Sequence, residues 1–224
     1  MRYINWAFFA VLVVYSGVLL VVEANTSQDF VRHYFSDIEG PRPFFAVNTT
    51  LSTFLLTGAA MLLVFVVFSG KDDISSHAKW FFSSQALILS FLAFDDRFQL
   101  HEALAYRIGI ADHFVMASWA VAEVGLVIAF AKLADITVRA AILVALGGVF
   151  FAVMMVFDAV VAHDMTMRLS IEDLAKSWAA ALFFAASWHL ARFHLGLEVH
   201  ARSLATWLAE YRNRSINKPL NVKR

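Results

Sequence analysis

The sequence predicts an all-α integral membrane protein with six transmembrane helices and a C-terminal amphipathic helix at the membrane surface. Of its 224 residues, 60% are hydrophobic and only 16% are charged, which exceeds the apolar share of ordinary soluble domains. The apolar residues form runs of about 20, the length that a helix needs to cross the hydrocarbon core. Because hydrocarbon offers the backbone no hydrogen-bond partner, such runs must be helical.

Six apolar runs follow one another along the chain. They cover residues 4–22, 51–68, about 80–98, about 113–133, about 140–161 and 170–194. Asn48 precedes the second run and Ser170 opens the sixth, and both residue types are favoured as helix caps. The longest polar segment between runs is 23–47, which contains the breaker Gly-Pro-Arg-Pro. We therefore predict a six-helix transmembrane domain at residues 1–194.

Residues 195–224 differ from the six runs because apolar and basic residues alternate there at helical spacing. Leu197, Ala201, Leu204 and Leu208 recur every three or four residues, and Arg202 falls elsewhere around the helix. This pattern predicts an amphipathic helix lying on the membrane, followed by a basic tail.

The positive charges are distributed unevenly between the two sides of the membrane. With six spans, twelve Lys and Arg residues fall on the side that holds both termini, and five fall on the other side. Cytoplasmic loops are enriched in Lys and Arg. We therefore predict a multi-pass protein of the plasma (inner) membrane with both termini in the cytoplasm.

The stretch 95–102, DDRFQLHE, places five ionisable side chains where the third span leaves the bilayer. Ionisable residues are costly at this depth and usually have a function. The predicted topology brings Asp158 and His163, at the exit of the fifth span, to the same non-cytoplasmic end. We therefore predict a polar pocket at this end, with spans three to six as its walls.

The residue types of this pocket suit a divalent metal such as zinc, iron or manganese. The candidate ligands are Asp96, His101, Asp158 and His163, and the candidate general bases are Asp95 and Glu102. On a continuous helix the last two lie about 10 Å apart along the axis, so one ion would need ligands from several helices. The alternative is that the aspartates pair with Arg97 while His101 and Glu102 lie solvated.

Glu123 and Lys176 are the ionisable residues expected deepest in the membrane. They predict either a buried ion pair between two helices or a proton relay. Asp158 is another possible partner for the lysine, and Glu172 to Lys176 is an ordinary pair one helical turn apart.

The composition excludes several classes of function. The chain has no cysteine, which excludes disulfides, thiol catalysis and thiolate-held metals. Its formal net charge is zero, and no basic stripe or motif indicates nucleic-acid binding.

The acidic pair Asp95-Asp96 followed by His101-Glu102 resembles uncharacterised bacterial six-span inner-membrane proteins with this motif at the exit of the third span. The resemblance covers most of the chain in layout and implies no activity. The chain does not match the alkaline-ceramidase and progestin-receptor-like hydrolases, whose paired histidines are four apart on a late helix. Here His189 and His194 are five apart, at the opposite end from the acids.

Four functions are compatible with these observations. The first is a metal-dependent membrane enzyme that hydrolyses a lipid or other amphiphile. The second is a proton- or ion-coupled transporter that uses Glu123 and Lys176. The third is a non-catalytic subunit, in which the outer residues contact a membrane-complex partner or a second copy of the chain. The fourth is a haem protein in which His113 and His163 are the paired ligands.

Overall fold

The computed structural model describes residues 2–35, 47–69, 74–130, 134–162 and 165–197, with the side chains of 2–8 and 33–35 left out. The described chain folds into α-helices. In order they are α1 (Arg2–Asn25), α2 (Gln28–Phe35), α3 (Val47–Phe68), α4 (Ser76–Phe98), α5 (Leu100–Ile108), α6 (Asp112–Phe130), α7 (Val138–Val160) and α8 (Arg168–His194).

Three of these helices, α3, α6 and α7, are long and apolar enough to cross a membrane. A shorter apolar helical stretch, Phe9–Asn25, belongs to α1. Helices α4 and α8 are as long, at 23 and 27 residues, and carry most of the charged side chains described below. The all-helical fold predicted from the sequence is therefore confirmed, and the length and composition of three helices are consistent with a membrane protein.

Each predicted apolar run lies largely within one long helix, but some helices begin before the predicted residue. Helix α3 already begins at Val47, and α8 begins at Arg168 after Met167 in a left-handed conformation, φ 65°. Ser170 therefore lies inside the first turn of α8, fully buried, and does not cap the helix as expected. The predicted C-terminal amphipathic helix falls almost entirely on residues 198–224, outside the described residues.

Two short helices, α2 and α5, lie between the predicted apolar runs. Helix α2 lies within the polar segment 23–47, and the Ser27 hydroxyl caps it by accepting a hydrogen bond from the Phe30 amide, 3.2 Å. Val31 holds α2 in place because its buried side chain packs against Leu19 of α1 and Leu174 of α8. Helix α5 follows α4 after a single residue and runs along the same end of the bundle.

Small side chains allow the long helices to pack closely. Helix α8 packs most extensively against α7 and α3, and α3 packs against α4. Alanines fill these contacts, among them Ala59 and Ala60 of α3, Ala93 of α4 and Ala181 of α8. Small residues at helix interfaces let membrane helices approach each other, since no hydrophobic effect drives their association within lipid.

Gly147 of α7 shows how tight this packing is. A Cβ atom added at Gly147 would lie 2.6 Å from the Phe183 ring of α8, whereas a Cβ atom at the neighbouring Gly148 would meet nothing within 4 Å. The α7 to α8 contact therefore requires glycine at position 147 and not at position 148.

We expect Gly147→Ala to lower the free energy of unfolding by about 1–3 kcal/mol, because the new methyl group forces the Phe183 ring to move. The matched variant Gly148→Ala should be neutral or slightly stabilising, because alanine is the better helix former. Thermal denaturation of the purified proteins in detergent measures both effects. Equal melting temperatures for the two variants would contradict this packing.

Candidate functional site

A cavity of about 510 Å³ lies at one end of the bundle, bounded by helices α3 to α8 and by Arg32 of α2. Its titratable and amide lining residues are Arg32, Asp95, Asp96, Gln99, His101, Glu102, Asp112, His113, Asp158, Glu172, Asp173 and Lys176. The apolar part of the wall includes Leu56, Leu92, Met116, Phe151, Met154, Met155 and Phe183. The predicted gathering of charged residues at one end of the bundle is therefore present.

The cavity wall contains a helix break at Gln99. This residue adopts a left-handed conformation, φ 51°, between the end of α4 and the start of α5. The buried Asp95 carboxylate spans the break: Oδ1 accepts a hydrogen bond from the His101 amide, 2.7 Å, and Oδ2 lies 2.8 Å from Nδ1 of the same histidine. Asp95 thus stabilises the first turn of α5 and fixes the His101 ring.

The contact with Asp95 affects the protonation of the His101 ring. Burial lowers the pKa of His101, but the hydrogen bond to Asp95 and the negative charges of Asp95 and nearby acids outweigh it, so the pKa lies above its ordinary value. Nδ1 faces Asp95, and Nε2 makes no hydrogen bond within the described chain. The ring, 18% exposed, lines the cavity.

Lys176 of α8 stands at the centre of a second polar cluster. Its ammonium lies 2.7 Å from Asp96 of α4 and 3.1 Å from Asp173, one turn earlier on α8. Asp96 also accepts a hydrogen bond from the Ser52 hydroxyl of α3. The two carboxylates are almost completely buried, whereas 26% of the lysine side chain is exposed. One cation therefore compensates two buried anions and joins α4 to α8.

Asn48 extends this cluster into the contact between α3 and α8. Its amide donates to the backbone carbonyl of Asp173, 3.1 Å, and accepts from the Ser177 hydroxyl, 2.7 Å. The sequence analysis assigned Asn48 to a helix cap, since residue type alone does not show that it faces α8.

Arg168 forms a third cluster at the start of α8. Its guanidinium lies 3.2 Å from the Asp158 carboxylate of α7 and 3.4 Å from Glu172 of α8. It also donates to the backbone carbonyl of Phe157, 3.1 Å. Arg168 is one of the five positive charges that the sequence predicts on the non-cytoplasmic side. No local signal indicated that it bridges α7 and α8.

Glu102 lies at the mouth of the cavity with its side chain exposed. Its pKa is raised, first by partial burial and then by the negative charges of Asp112, Asp158 and Asp95, which outweigh the effect of His101. Glu102, which was predicted as a candidate general base, lies on α5 one residue after His101. No direct contact joins Glu102 to Asp95.

Glu123 and Lys176 do not pair with each other in the structure. Lys176 pairs with Asp96 and Asp173, and Glu123 of α6 accepts a hydrogen bond from Gln85 of α4, 2.9 Å. The partners could not be chosen from depth alone, because they depend on which helix faces meet. The alternative role of Glu123 and Lys176 in a proton relay stays a prediction.

The candidate metal ligands do not converge in the described part of the chain. No group of three or more His, Asp or Glu residues there is arranged to hold a metal ion. Asp96 is engaged by Ser52 and Lys176, and Asp158 is engaged by Arg168. His163 lies outside the described residues. Of the three described candidates, His101 lines the cavity with its Nε2 atom making no hydrogen bond within the described chain.

These observations define a helical membrane protein with a charged cavity at one end of its helix bundle. The chain belongs to the family described as Domain of unknown function (DUF8692), whose model matches residues 6–190. The matched segment includes every residue that lines the cavity. No curated protein and no solved structure matches the chain.

We expect Lys176→Met to destabilise the protein by about 3 kcal/mol or more, because it leaves Asp96 and Asp173 buried without a cation. Lys79→Met is the matched control, since Lys79 is exposed on α4 and no ion pair holds it within the described chain. Thermal denaturation in detergent compares the two variants. A Lys176→Met protein as stable as the control would show that the cluster does not hold the helices together.

Proposed function

We propose that this chain is a six-span plasma-membrane enzyme that hydrolyses a lipid or other amphiphile in the cavity. The proposal is carried by one observation, the Asp95 and His101 pair at a cavity that is charged at its mouth and apolar at its inner end. In this proposal both termini are cytoplasmic and the cavity opens on the other side. The uneven distribution of Lys and Arg supports that orientation.

The shape of the cavity supports an amphiphilic substrate. The lining residue of α8 nearest the membrane surface is Leu169, and the deepest is Phe183, a separation of about 20 Å along the helix. Polar lining residues occupy the outer part, whereas Phe151, Met154 and Phe183 occupy the inner part. A volume of about 510 Å³ suits a polar head group with part of an apolar chain.

In the proposed reaction His101 acts as the general base. Its Nε2 accepts a proton from a water molecule as the water oxygen attacks the electrophilic carbon or phosphorus of the substrate, and the leaving group then takes that proton. Asp95 holds the ring by Nδ1 and stabilises the imidazolium that forms, which is the role of the acid in hydrolase triads. Mutational studies of other enzymes assign about 10²- to 10⁴-fold of rate to such a base.

Lys176 is the candidate for stabilising negative charge that develops on the substrate. An ammonium group has three donors, and Asp96 and Asp173 account for two of them. The remaining donor and the exposed part of the side chain are available to the cavity. The carboxylates of Asp96 and Asp173 thereby position Lys176. Its charge stabilises an oxyanion on the substrate only at short range.

We expect His101→Ala to lower the turnover of amphiphilic esters and amides by about a hundredfold or more. The control is His77→Ala, because His77 is exposed on α4 and does not line the cavity. Hydrolysis of a substrate panel by the protein in detergent measures the effect. Equal turnover in the two variants would remove His101 from the mechanism.

The pH dependence gives a second readout of the same pair. A general base must be neutral, so turnover should rise as the pH passes through the raised pKa of His101, above its ordinary 6.5. Asp95→Asn removes the charge that raises this pKa, so the rising limb should move to lower pH as maximal turnover falls. If turnover rose over the same pH range in Asp95→Asn as in the unchanged protein, a group other than His101 would control it.

The predicted metal site would use the same atom, Nε2 of His101. A carboxylate that holds one nitrogen of a histidine also orients the other for a metal ion. Elemental analysis of the purified protein beside His101→Ala distinguishes the two roles of Nε2. Stoichiometric zinc, iron or manganese that is lost in the variant would assign His101 to a metal. Turnover by metal-free, chelator-treated protein would assign it to proton transfer.

A further inference from the structure

The cavity carries more negative than positive charge. Seven carboxylates line it, those of Asp95, Asp96, Glu102, Asp112, Asp158, Glu172 and Asp173. Three cations oppose them in the described chain, Arg32 and Lys176 in the wall and Arg168 immediately beside it. Even if His101 and His113 are both charged, two carboxylates remain in excess.

Carboxylates outnumber cations because each of two cations is shared between two carboxylates. Lys176 lies between Asp96 and Asp173, and Arg168 lies between Asp158 and Glu172. Each cluster therefore holds two carboxylates to one cation, which is a net negative charge when both carboxylates are ionised, although every member has an ion-pair partner. Because the members come from different helices, the carboxylates are held around the cavity and cannot disperse into solvent.

The surroundings of Glu102 include acids from three other helices. Its pKa is raised first by partial burial; His101 lowers it, and Asp112, Asp158 and Asp95 raise it. A carboxylate at the mouth is thus harder to ionise, because it is partly buried and because three acids lie near it. An anionic head group entering the cavity would encounter the same repulsion.

The inner wall offers surfaces that suit both a cation and an apolar chain. Phe151 and Phe183 contribute aromatic rings, whose faces attract cations, and Met116, Met154 and Met155 contribute flexible apolar contacts. These residues lie beyond the carboxylates, toward the middle of the bundle. A substituted ammonium group with an attached chain therefore meets favourable contacts along the full depth of the cavity.

We propose that the cavity selects amphiphiles whose head group carries a positive charge, an ammonium or substituted ammonium group. This inference rests on the proposed function in treating the cavity as the substrate site, and it adds the chemical class of the substrate. The charged head lies among the carboxylates of α6, α7 and α8, and the chain lies against the methionine and phenylalanine wall.

The test is a binding comparison that needs no turnover. The protein in dodecyl maltoside is titrated with decyltrimethylammonium, decanoate and decanol, and calorimetry measures each affinity. We expect the ammonium compound to bind about tenfold or more tightly than decanoate, and the preference to shrink at high salt. Tetramethylammonium, which has the head without the chain, should bind much more weakly than decyltrimethylammonium.

Charge-neutral variants locate the preference. Asp112→Asn and Glu172→Gln keep the size of two lining side chains and remove their charges, so each should reduce the preference for the ammonium compound several-fold. The control Asp29→Asn removes an exposed acid of α2 that does not line the cavity and should leave the preference unchanged. Melting temperatures verify that the variants remain folded.

The outcomes separate this inference from the proposed hydrolysis. Equal affinities for the three compounds, tighter binding of decanoate, or an unchanged preference in both lining variants would overturn the inference. Tetramethylammonium binding as tightly as decyltrimethylammonium would overturn its amphiphile part. A charge preference combined with unaltered turnover in His101→Ala would support this inference and refute the catalytic role. Loss of turnover in His101→Ala without a preference for the ammonium compound would support the catalytic role and overturn this inference.

Discussion

The sharing of Lys176 between Asp96 and Asp173 is the constraint on which the rest of the structure depends. A lone charge buried between packed helices is costly, and the cost falls only when opposite charges and hydrogen-bond partners surround it. Ser52 and Asn48 supply further polar contacts from α3. The cluster therefore fixes how α3, α4 and α8 face one another, and it keeps the end of the bundle polar.

The adjacent residues Asp95 and Asp96 have different structural roles because successive residues on a helix point about 100° apart. Asp96 reaches Lys176 of α8, whereas Asp95 reaches His101 across the break at Gln99. If α4 continued as a regular helix, His101 would lie six residues beyond Asp95 and on a different face. The left-handed conformation of Gln99 changes the direction of the chain and brings the His101 ring back to the Asp95 carboxylate.

The sequence predicted the long helices and the end of the bundle at which charged residues gather, because apolar length and the cost of buried charge are local properties of the chain. It did not predict the pairings. Choosing Asp96 instead of Glu123 as the partner of Lys176 requires knowing which helix faces meet. Helix α2 was missed for a related reason, since Val31 is buried only by contacts with α1 and α8. The αL conformation of Gln99, a residue without special preference for it, had no sequence signal.

The packing of α7 on α8 determines where the cavity stops. Phe183 lies against Gly147 on one side and lines the cavity on the other, so the same ring closes the helix interface and forms part of the apolar inner wall. Beyond Phe183 along α8, buried residues such as Ala186 bring the helices into contact. The charged clusters line the cavity between Phe183 and the end of the bundle. A cavity bounded in this way is charged at one end and apolar at the other, which is the polarity of an amphiphile inserted with its chain toward the middle of the membrane.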